Sequence, residues 1–125
     1  MQRAAPSTES KQMITRYAIF QGTVAPENWA TFQQVVTTHL LPTWLIYPGA
    51  CDVRIAFSTE KDDAAPPTPL ILAVDFPTRA DLDRALNSQE RLDSRAATLR
   101  YLPGLFDGQI FHYITTSSSH PPLKA

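Results

Sequence analysis

Four short runs dense in β-branched, aromatic and aliphatic residues punctuate the chain, at 14–21, 51–57, 70–76 and 109–115, and this pattern predicts β-strands. Two longer stretches with a helical period separate them. The first, 26–47, opens with Pro26 at a first helical position and Glu27 near the positive end of the helix dipole. Trp29, Phe32, Val36 and Leu40 then recur at spacings of three and four, the mark of an amphipathic helix. Pro42 has no N–H to give the Thr38 carbonyl, so the helix is expected to kink or end there. The second stretch starts at the capping-box-like Thr78-Arg-Ala-Asp81 and carries Leu82, Ala85 and Leu86. Asn87-Ser88 interrupts it, Leu92, Ala96 and Leu99 resume the period, and Pro103-Gly104 ends it.

The order β-α-β-β-α-β with right-handed crossovers predicts an α+β, ferredoxin-like fold. Its four-stranded antiparallel sheet has the spatial order 4-1-3-2, with two helices on one face. Strands one and three, central in that order, are apolar on both faces (Tyr17-Ala-Ile-Phe20 and Leu70-Ile-Leu-Ala-Val74), whereas Asp52-Val-Arg-Ile-Ala-Phe57 begins with the alternation of an edge. Two helices cover one face only. The other apolar face needs a partner, and a second copy of the chain is the economical one, so a homodimer is expected.

At 125 residues the chain holds one domain. We expect that domain at 13–116, between a disordered polar N-terminal tail at 1–12 and a disordered Ser/Pro-rich tail at 117–125. The run 58–69, with Pro66, Pro67 and Pro69, is expected to be a long, mobile connection between paired strands. Lys and Arg number 11 against 12 Asp and Glu, which leaves no electrostatic footprint for nucleic acid and no basic run for an anionic membrane. No apolar secretory stretch opens the chain and none reaches the ~20 residues of a membrane span, so the expectation is cytoplasmic. The single cysteine, Cys51, can form no intrachain disulfide and is expected to be buried and inert.

The segment His39-Leu-Leu-Pro-Thr-Trp-Leu-Ile-Tyr-Pro48-Gly49 resembles the His…Pro-Gly element of EthD-like proteins in the dimeric α+β barrel superfamily. That group also includes antibiotic-biosynthesis-monooxygenase-like and muconolactone-isomerase-like proteins. Ala85-Leu86-Asn-Ser88-Gln-Glu90 is similar to the turn inside the family's second helix, and Phe106-Asp107-Gly108 to the lead-in to its last strand. The resemblance spans residues 13–116 in topology. It implies pairing into a dimeric barrel and a cofactor-independent enzyme of monooxygenase or isomerase type, an expected oxidoreductase acting on a small hydrophobic or aromatic metabolite. The alternative it leaves open is a non-catalytic small-ligand-binding or stress-associated barrel. Haem-degrading relatives carry a histidine on the second helix, and 79–102 contains none, which speaks against haem.

Among residues able to carry chemistry, His39 comes first. At ~100° per residue it lies about 20° from Phe32 on the helical wheel, between Val35 and Val36, and so is expected to face the sheet and any cavity there. There it would serve as a general acid/base, or else pack as a core histidine bonded to a carbonyl. Tyr17, Arg16 and Arg54 are the strand residues expected to approach the same pocket, with Val35 and Val36 on its helical side. Asp52, Asp75 and His112, also inside strands, are read as structural or exposed. Pro48-Gly49 is read as a turn with Gly49 at positive φ. The three histidines, at 39, 112 and 120, are scattered, no zinc-ligand spacing occurs, and the four glycines form no phosphate loop. The expected complement of metal and organic cofactors is therefore none.

Overall fold

The computed structural model describes residues 13–123. The expectations for a disordered tail at 1–12 and for the last two residues lie outside that range. Four strands, β1 (Met13–Thr23), β2 (Asp52–Phe57), β3 (Leu70–Phe76) and β4 (Asp107–Ser117), form one antiparallel sheet in the order β2-β3-β1-β4. This is the ferredoxin-like 4-1-3-2 arrangement read from the sequence. Ser117 pairs with Met13, so the sheet takes in the first residue assigned above to the C-terminal tail.

Register divides the sheet into two faces, because strand side chains alternate. Ile14, Arg16, Ala18 and Phe20 stand opposite Phe76, Val74, Leu72 and Leu70, and the helices cover this side. On β4 the same face carries Ile110, His112 and Ile114. The other face presents Thr15, Tyr17 and Ile19 beside Asp75, Ala73 and Ile71, with Phe111 and Tyr113 on β4.

The first helical arm comes in pieces. A 3₁₀ turn at Pro26–Asn28 leads into α1 (Trp29–Val35), a π-helical turn at Val36–Leu40 and then α2 (Leu41–Leu45). Pro42 sits in the first turn of α2, where a missing N–H costs nothing, and the Leu41 N–H reaches back five residues to the Val36 carbonyl. The expected kink at Pro42 is this wide turn. Phe32, Val36, Leu40 and Trp44 form the arm's buried stripe. Phe32 joins an aromatic cluster with Trp29, Phe57 and Phe106.

The second arm breaks where Asn87-Ser88 interrupts the period. Thr78 caps α3 (Arg79–Leu86) by accepting the Asp81 N–H, and Ser88 caps α4 (Gln89–Tyr101) by accepting the Arg91 N–H. Gly49, at φ 79°, makes the turn after α2, and a side chain there would collide with Arg84 on α3. The connection 58–69 is tied at both ends: the Ser58 N–H donates to the Pro69 carbonyl, and the Gly22 N–H to that of Pro67.

The helical period of α4 does not set its apolar residues squarely against the sheet. Leu92 and Ala96 face outward and Leu99, 66% exposed, lies at the rim of the space between α4 and the strands, while Ser94 is buried. The apolar stripe of α4 is turned largely away from the sheet.

Candidate functional site

Turning α4 this way sets Arg91, Ser94, Arg95 and Thr98 toward the sheet, at the three- and four-residue spacings of one helix face. Between them and the strands lies an open cavity of about 300 Å³. Its apolar walls are Phe20, Leu72, Ile110 and Trp44, and its polar groups are Arg16 and His112 from the sheet, Tyr47 after α2, and the α4 residues. Trp44 reaches the cavity because the wide turn in the first arm brings it under the sheet, edge-on to Phe20 at 6.4 Å between ring centres.

The wall is held by a short relay. The Ser94 hydroxyl donates to the Arg91 carbonyl at 2.9 Å, and with its one proton so engaged it accepts from the Tyr47 hydroxyl at 2.6 Å. Both side chains are buried, so the relay couples the end of the first arm to the middle of α4.

The charges in the cavity are one-sided. No acidic residue lines it, and among the described residues none of Arg16, Arg91 and Arg95 forms an ion pair. Partial burial and the neighbouring Arg91 lower Arg16 from its ordinary value, against a smaller opposing pull from Tyr47. Partial burial, then Arg16 and Arg91, bring the His112 imidazole down to about 4. At neutral pH it is an uncharged imidazole beside guanidinium groups, whose charge opposes its protonation until an anionic ligand offsets them.

Of the residues expected in the sequence to form the pocket, Arg16 lines this cavity and the others do not. His39 is exposed, and its ring stacks on Tyr101 with centroids 4.2 Å apart and planes 7° from parallel. The wide turn explains the difference, since a π-turn advances each residue by less than the ~100° of an α-helix. Leu40 thereby swings into the core, and His39 lags off the buried stripe. Val36 is fully buried core and Val35 packs against that core, away from the cavity. Tyr17 and Arg54 belong to the helix-free face by strand parity. Arg54 there bridges Asp52, at 2.8 Å, and Asp75, whose second oxygen accepts from Thr15 at 2.6 Å. Burial alone would raise the Asp75 carboxyl, but the bonds from Arg54 and Thr15 outweigh it and hold it below the ordinary value. Cys51, expected to be buried, is exposed beside this network, and what burial it has, with the Asp75 charge, pushes its thiol up.

Arg91, Arg95 and Ser94 were not among the sequence candidates, and His112 was read as structural. Arg91 and Arg95, four apart on one helix face with no acidic residue three or four positions from either, were the available signal. Among the described residues, no three His, Cys, Asp or Glu side chains converge as a metal site, and no helix is long and apolar enough to cross a membrane.

No protein-family model matches the chain, and no curated protein sequence does either. Solved structures do. An EthD (ethyl tert-butyl ether D) family protein from Bacillus halodurans is similar over 81% of this chain and 96% of its own, with TM-score 0.63 at 15% identity. SnoaB, a cofactor-independent oxygenase from Streptomyces nogalater, is similar over 90% and 96%, with TM-score 0.52 at 16% identity. A dimeric protein of unknown function and ferredoxin-like fold from Bacteroides fragilis covers 86% and 96%, with TM-score 0.55 at 8% identity. At these identities the likeness establishes the fold that EthD-like and cofactor-independent oxygenase proteins share.

Proposed function

We propose that this protein is a homodimeric α+β barrel that binds a small aromatic metabolite in the Trp44–His112 cavity and transforms it without a cofactor, as an isomerase- or monooxygenase-type enzyme. The observation that carries this reading is the cavity itself, where an uncharged imidazole and a guanidinium meet apolar walls in the size range of ligand pockets, roughly 300–1,000 Å³. His112 takes the base role first considered for His39. It accepts a proton from an acidic C–H or O–H of the ligand, and the electron pair stays on the ligand as an enolate or phenolate beside Arg16. Returning the proton to another atom gives an isomerisation. Attack of the anion on dioxygen opens the oxygenase course, the activity named for SnoaB.

The dimer follows from the helix-free face, where Ile19, Ile71, Phe111 and Tyr113 await cover, and from the dimeric neighbour of the same fold. Light scattering should give twice the 13.9 kDa chain mass, and a stable monomer would remove the barrel. For the chemistry, solvent deuterium exchange into a panel of small phenols and aryl ketones, followed by NMR, is the direct test. His112→Gln should lower the exchange rate ~10²–10⁴-fold while His39→Gln leaves it unchanged. Binding without exchange would leave a non-catalytic ligand-binding barrel.

A further inference from the structure

Arg91 and Arg95 are like charges four residues apart on one helix face, an arrangement that by itself destabilises a helix slightly. Glu or Asp at a neighbouring position normally relieves it, as Asp83 does for Arg79 and Asp81 for Arg84 on α3. Neither of these two has such a partner among the described residues, and both open on the same cavity as half-buried Arg16. Three guanidinium groups round an open space lined by Trp44, Phe20 and Leu72, with no carboxylate, leave positive charge that has no counter-ion from the protein among the described residues. A guanidinium presents a flat fork of donors that fits two oxygens at once, which is the shape of a carboxylate.

We propose that the ligand of this cavity is an aromatic carboxylate, its carboxyl group clamped by Arg91 and Arg95 and its ring laid against Trp44 and Phe20. This rests on the pocket reading above and narrows its substrate class. The cavity volume suits roughly one or two rings. Arg16, seated in the sheet next to His112, is left to face the reacting end of the molecule.

The test pairs each acid with its neutral double: benzoate, 4-hydroxybenzoate and 2-naphthoate against their primary amides, with phenyl phosphate as a second anion, by calorimetry on the full-length protein. The acids should bind about ten- to a hundredfold more tightly than the amides, and added salt should weaken the acids alone. Arg91→Gln and Arg95→Gln should each remove most of that preference without changing amide affinity. Arg100→Gln on the same helix, which lies over Tyr101 outside the cavity, should leave it intact. Thermal melts of each variant show that it is folded. Equal binding of acid and amide would overturn the inference, leave the pocket standing, and mean that the arginines merely reach for solvent. Phenyl phosphate binding without the acids would overturn the carboxylate. If neither acids nor amides bind, the pocket reading falls, and this inference with it.

Discussion

The first helical arm turns Phe32, Val36, Leu40 and Trp44 toward the sheet and buries them all, whereas α4 turns Arg91, Ser94, Arg95 and Thr98 inward and leaves Leu92 and Leu99 in the open. Both lie on the same side of one sheet. The first arm meets its half as core meets core, and its side chains interlock with Phe20, Leu70 and Phe57. The polar face of α4 cannot close in that way, because guanidinium groups must keep water or an anion beside them. It stands off, and the gap is the cavity. One arm supplies stability and the other accepts a looser fit around a cavity, the kind of division seen where a local rule is broken for function.

The comparison breaks most readily at Phe32. Phe32→Ala should cost about 3–5 kcal/mol in urea unfolding, since the ring is fully buried in an aromatic cluster. A cost no larger than that of a surface change would mean that the first arm is not the stability element.

Arg54→Met on the helix-free face should cost about 1–3 kcal/mol, because it strands the buried Asp75 carboxylate opposite Asp52. The Asp75 value is depressed in the folded state, so the stability it brings is complete above its unfolded value near 3.8 and disappears as pH falls through the folded one. The difference between wild type and variant should therefore be largest at neutral pH and shrink on acidification, as followed by melts across a pH series.

His112 should act in a different pH window. Its folded value, about 4, lies below the ordinary 6.5, so the unfolded chain takes up the proton first. Stability should be flat above 6.5 and fall as pH drops from there toward 4. His112→Gln should remove this slope, and bound benzoate should reduce it by screening the arginines.

The smallest effect is expected at Leu92→Ser on the outer face of α4, which is 54% exposed and should change stability by no more than ~0.5 kcal/mol. A loss of several kcal/mol there would show that a partner covers the apolar stripe, and the contrast between the arms would need redrawing.

The sheet was legible because its signal is redundant. Strands β1 and β3 are apolar on both parities, which fixes them as central, and the turn glycine and the two caps bracket the elements at Gly49, Thr78 and Ser88. The site was less so, for two physical reasons. Hydrophobic periodicity takes an apolar stripe to face inward, but Leu92 and Ala96 face out and Leu99 reaches only the cavity rim, so the pocket-lining arginines looked like a solvated surface. A helical wheel also assumes a constant advance per residue, which the turn at Val36–Leu40 does not keep, so His39 seemed to point at the sheet. Strand parity relative to the helices, which separates Arg16 from Tyr17 and Arg54, came only with the register.

That wide turn also bears on how this chain can be compared with others. A loop of backbone closed over five residues instead of four spends one extra residue without lengthening the helix by a full step. A protein with the same backbone path but an unbroken α-helix reaches the end of this arm one position sooner. The two sequences then line up only if a gap is opened in mid-helix, where insertions are least expected. Without it, every residue downstream is matched to the wrong neighbour, Trp44 and Tyr47 among them. Kinship in this fold is better traced by superposing the walls of the cavity than by reading along the chain.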